Sequence, residues 1–226
     1  MPEGASTLHG IAARAAAHRL DVFGAFHPGP QDGVPPGTRT LLLLGPGEPG
    51  FWPHVTASPE FADGAPDPLD RWSRRVIGQL ACDLGAKALF PFGGPPWQPF
   101  IAWARKSGRA WESPVGLLVH DRAGLMVSYR GALALKVHID LPAPPQAAPC
   151  ETCAQPCLRA CPVGALSGAG YDTAACHGYL DTGPGADCRN GGCAVRRSCP
   201  VSEGYGRLPA QSAYHMVRFH ASAPRP

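Results

Sequence analysis

The sequence predicts an α+β protein of two domains, on three observations. Helical and strand periodicities interleave through the first 140 residues, the pattern of a sheet with helices packed on it. Residues 141–149, Leu-Pro-Ala-Pro-Pro-Gln-Ala-Ala-Pro, read as an extended, proline-stiffened connector. Eight of the nine cysteines then fall between Cys150 and Cys199. The expected organisation is an amino-terminal domain over residues 1–140, a linker over 141–149, and a small cysteine domain over 150–226 with a helix at its end.

The elements of the first domain follow in order. A helix starts near Ser6 as N-cap and carries Leu8, Ile11 and Ala15 on one side. Residues 22–26 read as a strand, and residues 38–44 as a buried one, a short apolar run between glycines. The best-marked helix has Asp67 as cap, Pro68 at its first position and Gly85 as its close. Leu69, Trp72, Val76, Leu80 and Leu84 recur along it at helical spacing, so Trp72 is expected in the core. Cys82 lies on the same stretch and reads as a small core residue. Residues 87–92 resume as a strand and 97–106 as a helix; Gly93-Gly94-Pro95-Pro96 between them reads as a turn, because prolines supply no N–H for a phosphate. Residues 115–120 and 124–135 read as two strands of a hairpin closed by Asp121-Arg122-Ala123-Gly124.

Composition limits the function classes. A content of 44% hydrophobic and 16% charged residues supports a packed core rather than disorder. The net charge of +3, with no block of lysine or arginine, gives no ground for a nucleic-acid partner. The longest apolar run, Leu41-Leu42-Leu43-Leu44, is far too short to cross a bilayer, so no membrane association is expected. The start Met-Pro-Glu-Gly-Ala-Ser carries an acidic residue and no apolar core, so it does not read as a signal peptide.

The cysteines carry the chemistry. The run opens Cys150-Glu-Thr-Cys153-Ala-Gln-Pro-Cys157-Leu-Arg-Ala-Cys161-Pro162 and continues through Cys176, Cys188 and Cys193 to Cys199-Pro200. Eight thiolates are what two 4Fe–4S clusters need, and the Cys-Pro ending is a habit of bacterial ferredoxins. Zinc is the main competitor, but structural zinc favours paired Cys-x-x-Cys knuckles, and only Cys150 and Cys153 make such a pair here. A disulfide framework belongs to secreted chains. Two intervals depart from the ferredoxin spacing: three residues separate Cys153 from Cys157, and the last cysteines are spread wider still. Pro156 and Gly191-Gly192 lie in the stretched intervals and suit tight turns. In two-cluster ferredoxins the fourth cysteine of a run ligates the other cluster. Carried over by order, that likeness implies one centre on Cys150, Cys153, Cys157 and Cys199, and a second on Cys161, Cys176, Cys188 and Cys193.

The stretch Gly116-Leu-Leu-Val-His120-Asp-Arg-Ala-Gly124-Leu-Met-Val-Ser-Tyr-Arg130-Gly131, running to Asp140-Leu-Pro before the cysteines, resembles two related groups. One is the epoxyqueuosine reductases with their relatives, the corrinoid-dependent reductive dehalogenases, where a similar His-x-x-x-Gly hairpin leads through a proline-rich connector into a two-cluster ferredoxin segment. The other is the cobalamin-processing CblC-type proteins, which share the Arg-Gly pair and a helix start like Asp67-Pro68-Leu69-Asp70. The resemblance implies a CblC- and nitroreductase-related sheet-and-helix domain followed by a ferredoxin-like domain. It implies bound cobalamin or flavin, with His120 and Arg130 as cofactor-binding residues: His120 facing the cofactor, the alternative being a histidine near the turn hydrogen-bonded to backbone, and Arg130 gripping an anionic substituent, the alternative being a pair with Asp121 or Asp140. The aspartate–tyrosine–histidine stretch of the epoxyqueuosine reductases has no counterpart, so tRNA modification is not expected.

The expected function is that of a cytosolic iron–sulfur redox protein. An external electron-donor protein reduces the clusters, which pass single electrons to a cofactor or substrate in the amino-terminal domain. Two other classes stay open at this point: a ferredoxin-type electron carrier without a catalytic pocket, and a structural cluster or zinc protein. Arg196 and Arg197, between the last two ligands, are candidates for tuning the potential or docking an acidic partner. The substrate, and whether the chain is an enzyme, are not legible in the residues.

Overall fold

The computed structural model describes residues 7–221, an α+β protein with small antiparallel sheets. The chain divides into two compact units. One is Met1–Ala110 with Ser128–Gln146; the other is Trp111–Val127 with Ala147–Pro226. Residues 111–127 therefore belong with the cysteines, although they precede the connector. The reason is tertiary: Val115, Val119 and Leu125 share one buried cluster with Cys157 and Cys199, a contact that no linear pattern displays.

The first unit opens with α1 (Leu8–Ala16), whose ring of first-turn amides is capped by Thr7: its Oγ1 accepts from Gly10 N at 3.1 Å. Ser6, the cap expected from sequence, lies outside the described residues. Next come β1 (Leu20–Phe26), β2 (Thr40–Pro46), the short helices α2 (Phe51–Thr56) and α3 (Pro59–Ala62), and α4 (Pro68–Asp83). β3 (Lys87–Leu89) and α5 (Phe100–Lys106) follow. The chain leaves the unit through β4 (Ala110–Glu112) and β5 (Leu118–His120), and re-enters as β6 (Gly131–Leu135).

Its sheet has the order β1-β2-β6-β3, antiparallel throughout. β2 lies inside it and is buried along its whole length, as a strand covered on both faces must be. This is why Leu41 to Leu44 read as a continuous apolar run rather than an alternating one. α4 buries Leu69, Trp72, Val76, Ile77 and Leu80. Trp72 is 1% exposed and meets Phe51 edge-on with ring centroids 5.5 Å apart, which makes it the core residue the spacing predicts.

Several expectations need correction. Asp67 does not cap α4 through its side chain; it adopts a left-handed conformation with φ 51°, and its carbonyl accepts from Asp70 N and Arg71 N. Cys82 is exposed: on a helix that buries one stripe, it faces away from the stripe. The helix expected from residue 97 starts only at Phe100, since Pro99 sits at its N-cap, and Trp97 is 65% exposed. The expected hairpin of residues 115–120 with 124–135 is not one hairpin. β5 pairs with β4, and β6 joins β2 and β3 in the other sheet. The residues between them are irregular, and an isolated bridge pairs His120 of β5 with Gly124.

The second unit holds β4 and β5, a minimal hairpin of β7 (Leu166–Ser167) with β8 (Gly170–Tyr171), and five helices: α6 (Thr173–Leu180), α7 (Ala186–Gly191), α8 (Ala194–Arg197), α9 (Pro200–Gly204) and α10 (Pro209–Ala221). α10 packs on α7, and at their junction a β-carbon on Gly192 would lie 2.7 Å from Ser212 Cβ. Two arginines tie residues 111–127 to the cysteine segment. Arg196 Nη1 donates to Leu125 O at 2.6 Å, and Arg207 Nη1 donates to Met126 O at 3.0 Å. No helix among the described residues is long and apolar enough to cross a membrane.

Candidate metal centres

The eight cysteines of the second unit are placed by short turns and helix starts. Cys157 sits in a 3₁₀ turn, Pro156–Leu158, and is 6% exposed. The extra residue between Cys153 and Cys157 is absorbed just before that turn: Gln155 takes φ 53°, and its backbone N–H donates to Cys153 Sγ at 3.3 Å. Cys176 lies in α6, which Asp172 caps by accepting from Ala175 N at 2.9 Å. Cys188 is buried in α7. Gly192 then turns the chain with φ 91°, so the wide interval to Cys193 is also taken up by a left-handed residue. Cys193 and Cys199 stand immediately before α8 and α9.

Electrostatics sorts these thiols into two sets. Burial pushes the Cys150 thiol up, and negative charge on Cys157, Cys199 and Cys153 pushes it further. Cys157 is raised in the same way by burial, then by Cys199 and Cys153. Cys176 is raised by burial, with Cys193, Cys161 and Cys188 as the neighbouring thiols, against a hydrogen bond from Tyr171 that lowers it. Cys188 is raised by burial and by Cys193, against a backbone N–H from Ala194. Cys150, Cys153, Cys157 and Cys199 thus fall on one side of this division, and Cys176 and Cys188, with Cys161 and Cys193 as neighbours, on the other.

The first four line a single pocket with Ser113, Val119 and Leu125. Cys157 and Cys199 belong to the same buried cluster as Val115, Val119, Leu125, Leu166 and Val195, so water is largely excluded around them. Gly124 makes the approach possible. A β-carbon there would lie 2.5 Å from Ser202 N and 3.0 Å from Cys199 Sγ, at a φ of 56°. Around the second four, the Tyr171 hydroxyl donates to Cys176 Sγ at 3.3 Å. The Arg196 guanidinium is enclosed by protein, although the residue keeps part of its surface exposed; burial lowers its pKa while the Cys193 thiolate favours its charge. Arg197 pairs instead with Asp187. Among the described residues, no group of three or more His, Cys, Asp or Glu side chains is arranged to hold a metal ion.

The two other candidates stand apart from the cysteines in character. His120 is wholly buried, and its Nδ1 accepts from Arg122 N at 3.1 Å and Ala123 N at 3.3 Å. These bonds tie the ring to the three-residue turn before Gly124. Arg130 lies in the first unit. Its Nη1 reaches Asp70 Oδ1 at 3.4 Å, its Nε donates to Tyr129 O at 3.1 Å, and the guanidinium lies over the Phe92 ring at 5.9 Å. Burial of Asp70 raises its pKa, against the attraction of Arg130. Sequence reading misses Ser113, Ser202 and Tyr171, because a lone hydroxyl carries no spacing signal.

Compared with known proteins, the chain matches no family model, no curated protein and no solved structure.

Proposed function

We propose that the chain is an iron–sulfur redox protein holding two 4Fe–4S centres, one on Cys150, Cys153, Cys157 and Cys199, the other on Cys161, Cys176, Cys188 and Cys193. One observation carries this reading: Cys199, from the far end of the cysteine segment, lines one pocket with Cys150, Cys153 and Cys157, while the thiols that neighbour Cys176 are Cys193, Cys161 and Cys188. A tight group of thiols in apolar surroundings is poorly suited to remain as free thiolates, since burial and mutual repulsion both oppose the charge. A polynuclear cation that takes four thiolates relieves both. When bound there, such centres supply one-electron transfer. The chain's own residues exclude water, donate N–H and O–H hydrogen bonds to the ligand sulfurs, and place a guanidinium beside one set.

In the fuller reading, an external donor protein delivers electrons to this ferredoxin-like unit, and the amino-terminal unit, CblC-like, holds the acceptor. The resemblance to epoxyqueuosine reductases and CblC-type proteins supports a corrinoid or flavin there. Reduced thiols and oxygen-sensitive centres suit the cytosol.

Anaerobic reconstitution with metal and sulfide counting tests the first claim: about eight iron and eight sulfide per chain are expected. Stoichiometric zinc without sulfide overturns it and leaves a structural zinc protein. Titration of the reconstituted chain with cobalamin and with flavin mononucleotide, followed by absorbance and calorimetry, tests the second. Saturable micromolar binding supports a reductase. Absence of binding to both ligands assigns the chain as an electron carrier.

A further inference from the structure

We infer that two buried hydroxyls, Ser113 and Ser202, are hydrogen-bond donors to the first iron–sulfur centre and raise its potential; this rests on the iron–sulfur reading above. Ser113 is 5% exposed and lines the pocket formed with Cys150, Cys153, Cys157 and Cys199. Its Oγ is buried and finds no hydrogen-bond partner among the described residues. Ser202 is 6% exposed, and its Oγ likewise finds none. It sits beside Cys199: a β-carbon on Gly124 would lie 2.6 Å from Ser202 Oγ and 3.0 Å from Cys199 Sγ.

A buried hydroxyl without an acceptor is unfavourable, and each one in a native fold calls for an explanation. Here Ser113 lines the pocket of the four thiols and Ser202 neighbours one of them, Cys199, on independent elements: Ser113 follows β4 and Ser202 lies in α9. Of the other lining residues, Gln155 already donates its backbone N–H to Cys153 Sγ at 3.3 Å. Val119 and Leu125 are apolar, and Pro156 and Pro200 have no N–H. Thiolate and sulfide sulfurs accept hydrogen bonds, so a centre in the pocket provides what both hydroxyls lack. The second set differs, since the Tyr171 hydroxyl already has Cys176 Sγ as acceptor. A donor to a cluster sulfur stabilises the more negative, reduced state, and thereby raises the potential.

The test is an anaerobic redox titration followed by electron paramagnetic resonance, on the full chain after iron and sulfide have been counted. The first centre is identified as the signal lost in Cys157→Ala. Ser113→Ala and Ser202→Ala are each expected to move its midpoint to a more negative value, to move it further together, and to leave the other midpoint in place. Ser113→Thr, which keeps a hydroxyl, restores the wild-type value. Unchanged midpoints in both alanine variants overturn the inference while the iron count keeps the iron–sulfur reading intact. If Ser113→Ala does not assemble the centre, Ser113→Gly and Ser202→Ala decide. Failure of all three to assemble, with Ser113→Thr intact, overturns tuning in favour of a packing role. Absence of iron from the wild-type chain instead removes the reading on which the inference stands.

Discussion

The Tyr171 hydroxyl and the Cys176 sulfur are joined by a hydrogen bond of 3.3 Å, five residues apart in sequence and carried on β8 and α6. The phenol is held in its protonated, donating form: burial raises its pKa, and the bond to Cys176 raises it further. Tyr171→Phe is therefore expected to keep the second centre assembled but to lower its midpoint potential, with the first unchanged. A redox titration of the variant beside the wild type checks this. An unaltered second midpoint would mean that the bond does not reach the redox centre.

On the proposed assignment the ligand sets interleave, so distance along the chain is a poor guide to shared damage. Cys157→Ala and Cys199→Ala are expected to abolish the same centre although 42 positions separate them, because both line one pocket with Cys150 and Cys153. Cys161→Ala abolishes the other. Identical spectra for Cys157→Ala and Cys161→Ala count against this division. Cys82→Ala, at an exposed position, leaves both centres and the thermal stability unchanged.

Gly124→Ala is expected to lose the first centre. The added carbon meets the Ser202 backbone nitrogen of α9 at 2.5 Å, and φ 56° strains any L side chain. Iron content falling from about eight towards four per chain, with the second set of signals retained, is the expected readout. A full complement of iron shows instead that α9 shifts to make room.

In the first unit, Glu60 accepts from Arg75 Nε at 2.5 Å and from Arg75 Nη2 at 3.0 Å. The Arg75 guanidinium holds its carboxyl down to about 2, against a smaller opposing effect of burial, from an ordinary value of 4.5. Because the folded state favours the carboxylate, the pair stabilises the protein fully above pH 4.5 and loses this contribution as the pH falls through about 2. Arg75 is 55% exposed, and solvent screening brings the expected cost of Glu60→Gln near pH 7 to about 1 kcal/mol. Denaturation curves of wild type and variant across pH check the window: the difference between them narrows as the pH approaches 3. A constant difference down to that pH would place the effect elsewhere than in the ion pair.

Local rules made much of the first unit readable. Proline at Pro68 and glycine at Gly85 bracket α4, and the apolar spacing from Leu69 to Leu80 marks its buried stripe. The run from Leu41 to Leu44 shows a strand covered on both faces. Such features depend on neighbours within a turn or two, and sequence displays those directly. The hairpin read across residues 115–135 failed for the complementary reason. Alternation identifies strands but not partners, and β5 and β6 find theirs in different sheets.

The cysteine count and the Cys-Pro endings pointed by themselves to iron–sulfur chemistry, and the order of the ferredoxin likeness supplied the expected grouping, since ligand chemistry depends on residue type and order. What surrounds them was decided only by tertiary structure. Val119 and Leu125 reach the thiols from before the connector, Gly124 clears the space beside Cys199, and Ser113, Ser202 and Tyr171 supply the hydroxyls. A ligand is recognisable alone because its side chain has one predominant use. A hydroxyl or a small residue has many, and its use is set by which distant atoms the fold brings within about 3 Å.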